Sequence, residues 1–247
     1  MRDPQPSQTQ DNTKTFVLLH GAWHGGWCWQ KMAPDLRAAG HVVYTPTQTG
    51  LGERSHLLSA DVGIETFAQD LINLLVWEDL YNVVLVGHSF GGNVITAAAD
   101  RVPERIAHLV YLDAIIPIPG QSAFATMDAD IVAQRRQLAQ QTSGGLTLPV
   151  PDPVAFGVTN EDDLHWLRSK CTPHPLATYE QVLKLQHPLG NHLPVTYVAV
   201  TPHYAPTVAS RDYARQRTDW TYLEIDAGHD AMVTSPVALS ELLLNLP

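Results

Sequence analysis

The chain has 247 residues, 45% of them hydrophobic, and a formal net charge of −10 at pH 7. This length and apolar content predict one α/β domain with a sizeable core and an insertion. The acidic balance, without a basic cluster, argues against nucleic acid and anionic membrane surfaces as partners, and no apolar run approaches membrane-spanning length.

The cysteines and the first residues bear on the cellular setting. Cys28 and Cys171 are the two cysteines and lie far apart, which predicts reduced thiols without a disulfide framework or a zinc site. Residues 1–14 are polar and lack the apolar segment of a secretory signal, so we expect a flexible polar tail on a cytoplasmic protein. The sequence leaves a homodimer open.

The first predicted strand covers residues 15–19 and runs directly into the glycine-rich segment His-Gly-Ala-Trp-His-Gly-Gly-Trp at residues 20–27. A loop of this kind after a strand can present backbone N–H groups to a negatively charged oxygen. We therefore predict that the amide of Ala22 is one donor of an oxyanion hole. Gly21 and Trp23 would lie beside the substrate.

Helix and strand patterns alternate from this loop to the middle of the chain. The predicted elements are a helix over residues 27–39, a strand over 41–45, a glycine-bearing loop over 48–54 and a helix over 64–76. Such alternation predicts parallel strands joined by crossover helices.

The most specific motif comes next. An apolar, β-branched run at residues 83–86 is typical of a strand buried on both faces, and it leads into G-x-S-x-G, centred on Ser89, and an alanine-rich helix. Strand, sharp turn and helix form a nucleophile elbow, in which glycines let strand and helix approach closely. We predict Ser89 as the nucleophile and the amide of Phe90 as the second oxyanion donor. His88 would belong to the substrate site, with its ring directed away from the hydroxyl.

A fourth predicted strand over residues 106–112 ends at Asp113, and the pattern then changes to a proline-rich stretch. This stretch has no clear strand but three helical patches, near residues 131–140, 161–169 and 178–185. We predict that residues 117–193 form a helical cap insertion that covers a pocket. The core would consist of residues 15–116 and 194–247.

Strand and helix patterns alternate again after the insertion. They lie at residues 195–200, 208–216, 221–225 and 235–246. This makes six main strands, so the predicted fold class is α/β, with a mainly parallel sheet and helices on both faces. His229 follows the last strand, which is the chain position of the general base when a serine nucleophile comes first.

Two positions compete for the group that would orient His229. The loop after residues 195–200 is the usual place, but it carries His203 and no acid before Asp212. Asp113 stands at the carboxyl end of the strand after the nucleophile strand, where doubly wound sheets place their sites. We predict Asp113 as the acid. His203 is the alternative, as a neutral hydrogen-bonding substitute or as a residue of the substrate pocket.

With these residues in view, the chain resembles a compact α/β-hydrolase group that contains plant methyl-ester esterases, such as the methyl salicylate esterases, together with hydroxynitrile lyases and many bacterial esterases. The resemblance covers nearly everything from residue 15 onward and rests on motifs at residues 20–27, 50–54, 87–92 and 228–229. It implies the α/β-hydrolase fold with a catalytic Ser89 and His229. It also implies oxyanion donors at Ala22 and Phe90.

Two positions depart from the family's pattern. The family's acid would fall in the loop after residue 200, where this chain has His203, and this moves the acid role to Asp113. The hydroxynitrile lyases resemble one another in a lysine directly after the catalytic histidine, whereas Asp230 follows His229 here. A carboxylate at that position would repel cyanide, which disfavours the lyase branch.

The sequence therefore predicts a serine hydrolase that cleaves small carboxylic esters through an acyl-enzyme intermediate. Two rivals are lyase or cofactor-free oxygenase chemistry on the same scaffold, and a non-catalytic protein that binds a small ligand. No His-Glu-x-x-His or His-x-x-Glu-His spacing occurs, so we predict neither metal nor cofactor. The cap predicts a modest, mostly apolar acyl or aryl substrate group. Its apolar side chains include Phe124, Phe156, Leu167 and Trp166, the last of which we place in the substrate site.

Overall fold

The structure, a computed structural model, describes residues 13–246, so most of the predicted polar tail lies outside the described residues. Its strands are β1 (Thr15–Leu19), β2 (Val42–Tyr44), β3 (Val83–His88), β4 (Ile106–Leu112), β5 (Thr147–Leu148), β6 (His174–Pro175), β7 (Val195–Thr201) and β8 (Thr221–Asp226). Six of them form the main sheet in the order β2-β1-β3-β4-β7-β8. Every pairing in this sheet is parallel, which confirms the predicted α/β class.

Six of the nine helices in the described residues flank this sheet, and the other three lie in the insertion between β4 and β7. The nine are α1 (Ala33–Ala38), α2 (Ile64–Trp77), α3 (Gly91–Arg101), α4 (Ala129–Ser143), α5 (Glu161–Lys170), α6 (Ala177–Glu180), α7 (Val208–Gln216), α8 (Ala231–Thr234) and α9 (Pro236–Leu244). Helices α1 and α9 pack together, as do α2 and α3. Since both faces are covered, every residue of the central strand β3 is buried.

The strand order reverses between β1 and β3, because the chain places β2 on one side of β1 and β3 on the other. Carboxyl ends of parallel strands open a crevice at such a reversal, where α/β sheets bind ligands. The loops after β1, β3, β4, β7 and β8 all reach this edge, and they carry the residues predicted for the catalytic triad and the oxyanion hole.

The turn after β3 is as tight as the motif predicts. Ser89 has a φ of +53°, a strained conformation for a residue with a side chain. A Cβ atom on Gly87 would lie 2.8 Å from the side chain of Ile95, and one on Gly91 would lie 2.8 Å from the carbonyl oxygen of His20. Glycine at these two positions therefore lets the strand, the helix and the first loop approach one another.

The predicted single helix over residues 27–39 is wrong, because the segment divides into a 3₁₀ turn at Gly26–Trp29 and helix α1. Pro34 lies in the first turn of α1, the one helical position where a missing N–H is tolerated. A continuous helix through Pro34 would have lost a hydrogen bond there.

The insertion also differs from expectation in two respects. It contains a small antiparallel sheet, in which Thr147 of β5 pairs with Pro175 of β6. Two-residue strands carry no detectable periodicity in the sequence. Helix α6 ends at Glu180 instead of extending toward residue 185, because Gln181 is extended. The side-chain oxygen of Gln181 accepts a hydrogen bond from the backbone N–H of Ile64, the first residue of α2, at 3.1 Å.

Among the helices of the described residues, none combines the length and the apolar character that crossing a bilayer requires.

Candidate active site

Ser89, His229 and Asp113 meet at the carboxyl edge of the sheet although they are far apart in sequence. Nε2 of His229 lies 2.9 Å from Oγ of Ser89, and Nδ1 of His229 lies 2.6 Å from Oδ2 of Asp113. Asp113 accepts the Nδ1–H, which leaves the Nε2 lone pair facing the serine hydroxyl. This arrangement can draw a proton from the hydroxyl and stabilise the resulting imidazolium.

Asp113 is fixed on both sides of its carboxylate. Its backbone N–H donates to the carbonyl of Val198 at 2.7 Å, and its φ of +38° lies in the region that residues with side chains rarely adopt. The second carboxylate oxygen, Oδ1, accepts the hydroxyl of Thr207 at 2.9 Å. Because Asp113 is 2% exposed, these partners replace the water that a buried carboxylate loses.

His203, the alternative to Asp113, lies in the loop after β7 with its side chain exposed. Its Nδ1–H donates to the carbonyl of Val200 at 3.1 Å. Nδ1 of His229 already has Asp113 as its partner, so the structure does not bring His203 to the orienting position.

The neighbouring residue, Tyr204, does contact the imidazole. Its ring stacks on that of His229, with centroids 3.7 Å apart and planes inclined by 20°. Burial raises the pKa of Tyr204, so its phenol is neutral at ordinary pH. An aromatic face on an imidazole that becomes charged is favourable, because the ring quadrupole attracts a cation.

The two predicted oxyanion donors lie on the loops after β1 and β3. Neither the amide of Ala22 nor that of Phe90 donates a hydrogen bond to any atom between residues 13 and 246, and both residues are almost fully buried. Buried backbone N–H groups without a partner are rare in folded proteins. Both amides are therefore free to donate to a bound oxygen.

Two buried histidines hold the carbonyls of the loop after β1. His20 donates its Nδ1–H to the carbonyl of Gly21 at 2.8 Å and accepts the amide of Gln48 at Nε2. His24 donates its Nδ1–H to the carbonyl of Ala22 at 2.7 Å. The loop conformation is thus fixed by side chains that do not face the hydroxyl of Ser89.

Gly21 and Trp23 flank this loop position. A Cβ atom on Gly21 would lie 2.7 Å from Cβ of Ser89, so glycine lets the loop approach the nucleophile. Trp23 has a φ of +65°, and its amide donates to Nδ1 of His174 at 3.3 Å. His174 in turn bonds with Thr178 at 2.8 Å, which connects the loop to the insertion.

His24 and Asp230 form a buried pair, with Nε2 and Oδ2 3.1 Å apart. Burial disfavours the charge on each group, but their mutual attraction outweighs it, so the pKa of His24 is raised and that of Asp230 is lowered. The pair ties the loop after β1 to the loop that carries His229. Because His24 offsets the negative charge of Asp230, Asp230 would not strongly repel a bound anion. The argument that Asp230 repels cyanide therefore does not hold.

His88 lies behind the imidazole and not in a substrate cavity. It is 1% exposed, and its Nε2–H donates to the backbone carbonyl of His229 at 2.9 Å. Burial and the neighbouring His229 hold the pKa of His88 well below its usual value. His88 therefore stabilises the loop that carries His229, and it does not face a substrate cavity.

Acidification should destabilise the folded protein, because its buried neutral histidines take up protons only when the chain unfolds. Burial lowers the pKa of His20 to about 3 and holds the pKa values of His88 and His174 well below the usual range. In the unfolded chain these histidines bind protons with a pKa of about 6.5. Their contribution to the free energy of unfolding is therefore complete above that pH and is lost as pH falls below it. We expect a loss of about 1.4 kcal/mol per pH unit for each histidine.

Urea unfolding at pH 6.5 and pH 5.0 measures this slope. His24 does not offset this loss of stability on acidification. Its pKa is raised in the folded protein, so its stabilising contribution is already complete below pH 6.5 and does not grow further. His20→Gln should give a shallower slope than the wild-type chain. Equal unfolding free energies at the two pH values in the wild-type chain would contradict the expectation.

A cavity of about 370 Å³ lies beside the imidazole. Its lining consists of Trp23, Tyr204 and eight residues of the insertion, namely Arg135, Leu138, Leu148, Pro149, Val150, Pro151, Ala155 and Phe156. Trp166 is not part of this lining. It packs edge-to-face on Trp27, with ring centroids 5.1 Å apart, and Nζ of Lys31 lies 5.9 Å from its ring centroid. Of the residues predicted for the substrate site, Trp23 lines this cavity and Gly21 lies against Ser89.

One group in the described part of the chain has ligand atoms close enough to hold a metal ion, namely His88, His229 and Asp230, whose atoms lie within 4.8 Å of one another. Both ring nitrogens of His229 already have partners in Ser89 and Asp113. Nε2 of His88 is likewise engaged, with a backbone carbonyl. The chemistry of the group favours hydrogen bonding over metal ligation.

Several residues of the site carried no clear sequence signal. Tyr204 and Thr207 follow β7, in a loop whose sequence pointed only to His203 as a site residue. The link between His24 and Asp230 joins residues 206 positions apart, which no local pattern reveals. The one usable signal was position, since every loop at the carboxyl edge of a parallel sheet can contribute to its site.

Comparison with known proteins identifies the family of this chain. A family model described as "Alpha/beta hydrolase family" matches residues 16–242. A carbendazim hydrolyzing esterase of Nocardioides sp. (strain SG-4G) is 38% identical over 242 residues, which cover 94% of this chain and 98% of that protein. Methylesterase 1 of Arabidopsis thaliana is 38% identical over 117 residues, 46% of this chain and 44% of that protein.

Among solved structures, an extracellular α/β-hydrolase from a Paenibacillus species has a TM-score of 0.80 and 27% identity, and the match covers 94% of this chain and 98% of that one. It is described as sharing structural and functional homology with tobacco salicylic acid binding protein 2. The family match spans most of the chain, and the relatives above are named as esterases. The chain therefore belongs to the α/β-hydrolase family and groups there with carboxylic ester hydrolases.

Proposed function

We propose that this protein is a serine esterase that cleaves small carboxylic esters through an acyl-enzyme intermediate. The observation that carries the proposal is the position of His229, within hydrogen-bond distance of both Ser89 and Asp113. Oγ of Ser89 attacks the ester carbonyl while Nε2 of His229 takes its proton. The imidazolium then returns that proton to the leaving alcohol, and water repeats the sequence to release the acid.

The negative oxygen that forms during both attacks is held by the amides of Ala22 and Phe90. Their lack of internal acceptors supports this role. Donors that are already aimed at the developing charge do not have to reorganise during the reaction. Loss of one such donor typically costs a hundred-fold or more in rate.

Residues 117–193 act in this proposal as a cap over core segments 15–116 and 194–247. The support is that most of the cavity lining comes from the insertion. The mostly apolar lining suits a modest aryl or alkyl ester. Carbendazim and methyl esters are the first compounds to test, because the relatives are named for carbendazim hydrolysis and as methylesterases. A cytoplasmic location and a homodimer stay predictions.

Active-site labelling combined with a substrate panel tests the proposal. A fluorophosphonate should label Ser89, and carbendazim, methyl esters and p-nitrophenyl esters should include compounds that are hydrolysed. Mandelonitrile cleavage with cyanide release, or oxygen uptake, would instead favour lyase or oxygenase chemistry. Tight ligand binding without turnover across the panel would favour a binding protein and contradict the esterase.

A further inference from the structure

The cavity beside His229 contains one charged side chain. Of the described residues that line it, Arg135 alone is charged, and the others are aliphatic, proline or aromatic. Arg135 comes from helix α4 of the insertion and is half-buried. An apolar cavity with a single guanidinium offers hydrogen-bond donors and positive charge to a ligand, with no carboxylate to compete for them.

Among residues 13–246, no carboxylate forms an ion pair with Arg135. Nη1 of Arg135 lies 3.6 Å from the sulfur of Met127, and Cζ lies 5.7 Å from the ring centroid of Tyr179. The guanidinium also interacts with the phenol oxygen of Tyr179 through hydrogen bonding and charge. Burial raises the pKa of Tyr179 to about 12, so the phenol is neutral and supplies no counter-charge. The next residue differs, because Arg136 pairs with Glu180 at 2.8 Å.

The cavity is also close to the reacting groups. Tyr204 lines it together with Arg135, and the ring of Tyr204 stacks on that of His229. Trp23, on another part of the lining, directly follows the oxyanion donor Ala22. Tyr204 and Trp23 therefore connect the wall of the cavity to the residues around Ser89.

We propose that Arg135 binds a carboxylate of the substrate, so that the enzyme prefers esters with an anionic group remote from the scissile carbonyl. The proposal rests on the ester hydrolysis proposed above. A guanidinium matches a carboxylate with two parallel hydrogen bonds. Such a bond is strengthened where apolar walls exclude water.

Two chromogenic esters of equal chain length test this preference. The p-nitrophenyl monoester of adipic acid carries a terminal carboxylate, whereas p-nitrophenyl hexanoate is neutral. The quantity to compare is kcat/KM for the anionic ester divided by kcat/KM for the neutral ester. We expect this ratio to be about 10- to 100-fold lower in Arg135→Gln than in the wild-type protein, because a charge-assisted hydrogen bond is lost. Arg135→Lys should retain part of the ratio.

Arg136→Gln is the matched control, because it removes the adjacent arginine that is paired with Glu180. It should leave the ratio at the wild-type value. If Arg135 has only a structural role, Arg135→Gln would lower kcat/KM equally for both esters. The ratio would then stay at the wild-type value, and that result would overturn the proposal. Failure of the wild-type protein to hydrolyse either ester would count against the esterase mechanism instead.

Binding keeps the proposal testable without turnover. In Ser89→Ala, calorimetric titration with the anionic monoester should give a Kd about 10- to 100-fold lower than in Ser89→Ala combined with Arg135→Gln. Equal Kd values in the two variants would overturn the role of Arg135, whatever reaction the protein catalyses.

Discussion

Replacing Ser89 with alanine should lower kcat for p-nitrophenyl butyrate by about a million-fold, because removal of a nucleophile that acts with its base as a unit typically costs this much. Oγ of Ser89 lies 2.9 Å from Nε2 of His229, and the tight turn after β3 fixes its direction. Without the hydroxyl, the imidazole has no bound nucleophile to deprotonate. A small residual rate from the oxyanion donors and substrate binding should remain.

The release of p-nitrophenolate at saturating ester measures this loss. Ser55→Ala is a matched control, because it makes the same chemical change on an exposed residue of the 3₁₀ helix at Gly52–Leu57 and should keep the wild-type rate. Equal melting temperatures would show that the fold of Ser89→Ala is intact. Turnover by Ser89→Ala near the wild-type rate would refute the mechanism.

Replacing Asp113 with asparagine should lower kcat by about ten-thousand-fold. Oδ2 of Asp113 accepts the Nδ1–H of His229 at 2.6 Å, which leaves Nε2 free to accept from Ser89. An amide nitrogen at the same place would donate to Nδ1 and move the ring proton to Nε2. The imidazole would then face the serine with a proton instead of a lone pair.

His203→Ala tests the rival position for the orienting group. The side chain of His203 is exposed, and its Nδ1–H donates to the carbonyl of Val200 and not to His229. We therefore expect kcat to change by less than about three-fold. Comparison of kcat for the two variants ranks the candidates. A severe loss in His203→Ala together with a mild loss in Asp113→Asn would transfer the role to the loop after β7.

Much of the fold was predictable because its signals are local. The run of β-branched residues before Ser89, the glycines around it and the alanine-rich helix after it all report on short-range geometry. Asp113 was predictable for a different reason, since parallel strands bring their carboxyl ends to one edge whatever their separation in sequence. The position of His229 after the last strand follows from the same rule.

The remainder of the candidate site depends on contacts that the sequence does not encode locally. Tyr204 stacks on the imidazole from the loop after β7, and Arg135 lines the cavity from helix α4, far from the catalytic residues in sequence. Trp166 was expected in the pocket for its aromatic character. It packs on Trp27 instead, because an apolar side chain serves packing as readily as binding.

Rapid acid quenching during turnover of p-nitrophenyl butyrate, followed by peptide mass spectrometry, tests covalent catalysis most directly. The account predicts a butyryl group on the peptide that contains Ser89, formed with a burst of p-nitrophenolate and absent from Ser89→Ala. A butyryl group on another residue, or turnover without a burst and with Ser89 unmodified at every quench time, would contradict it.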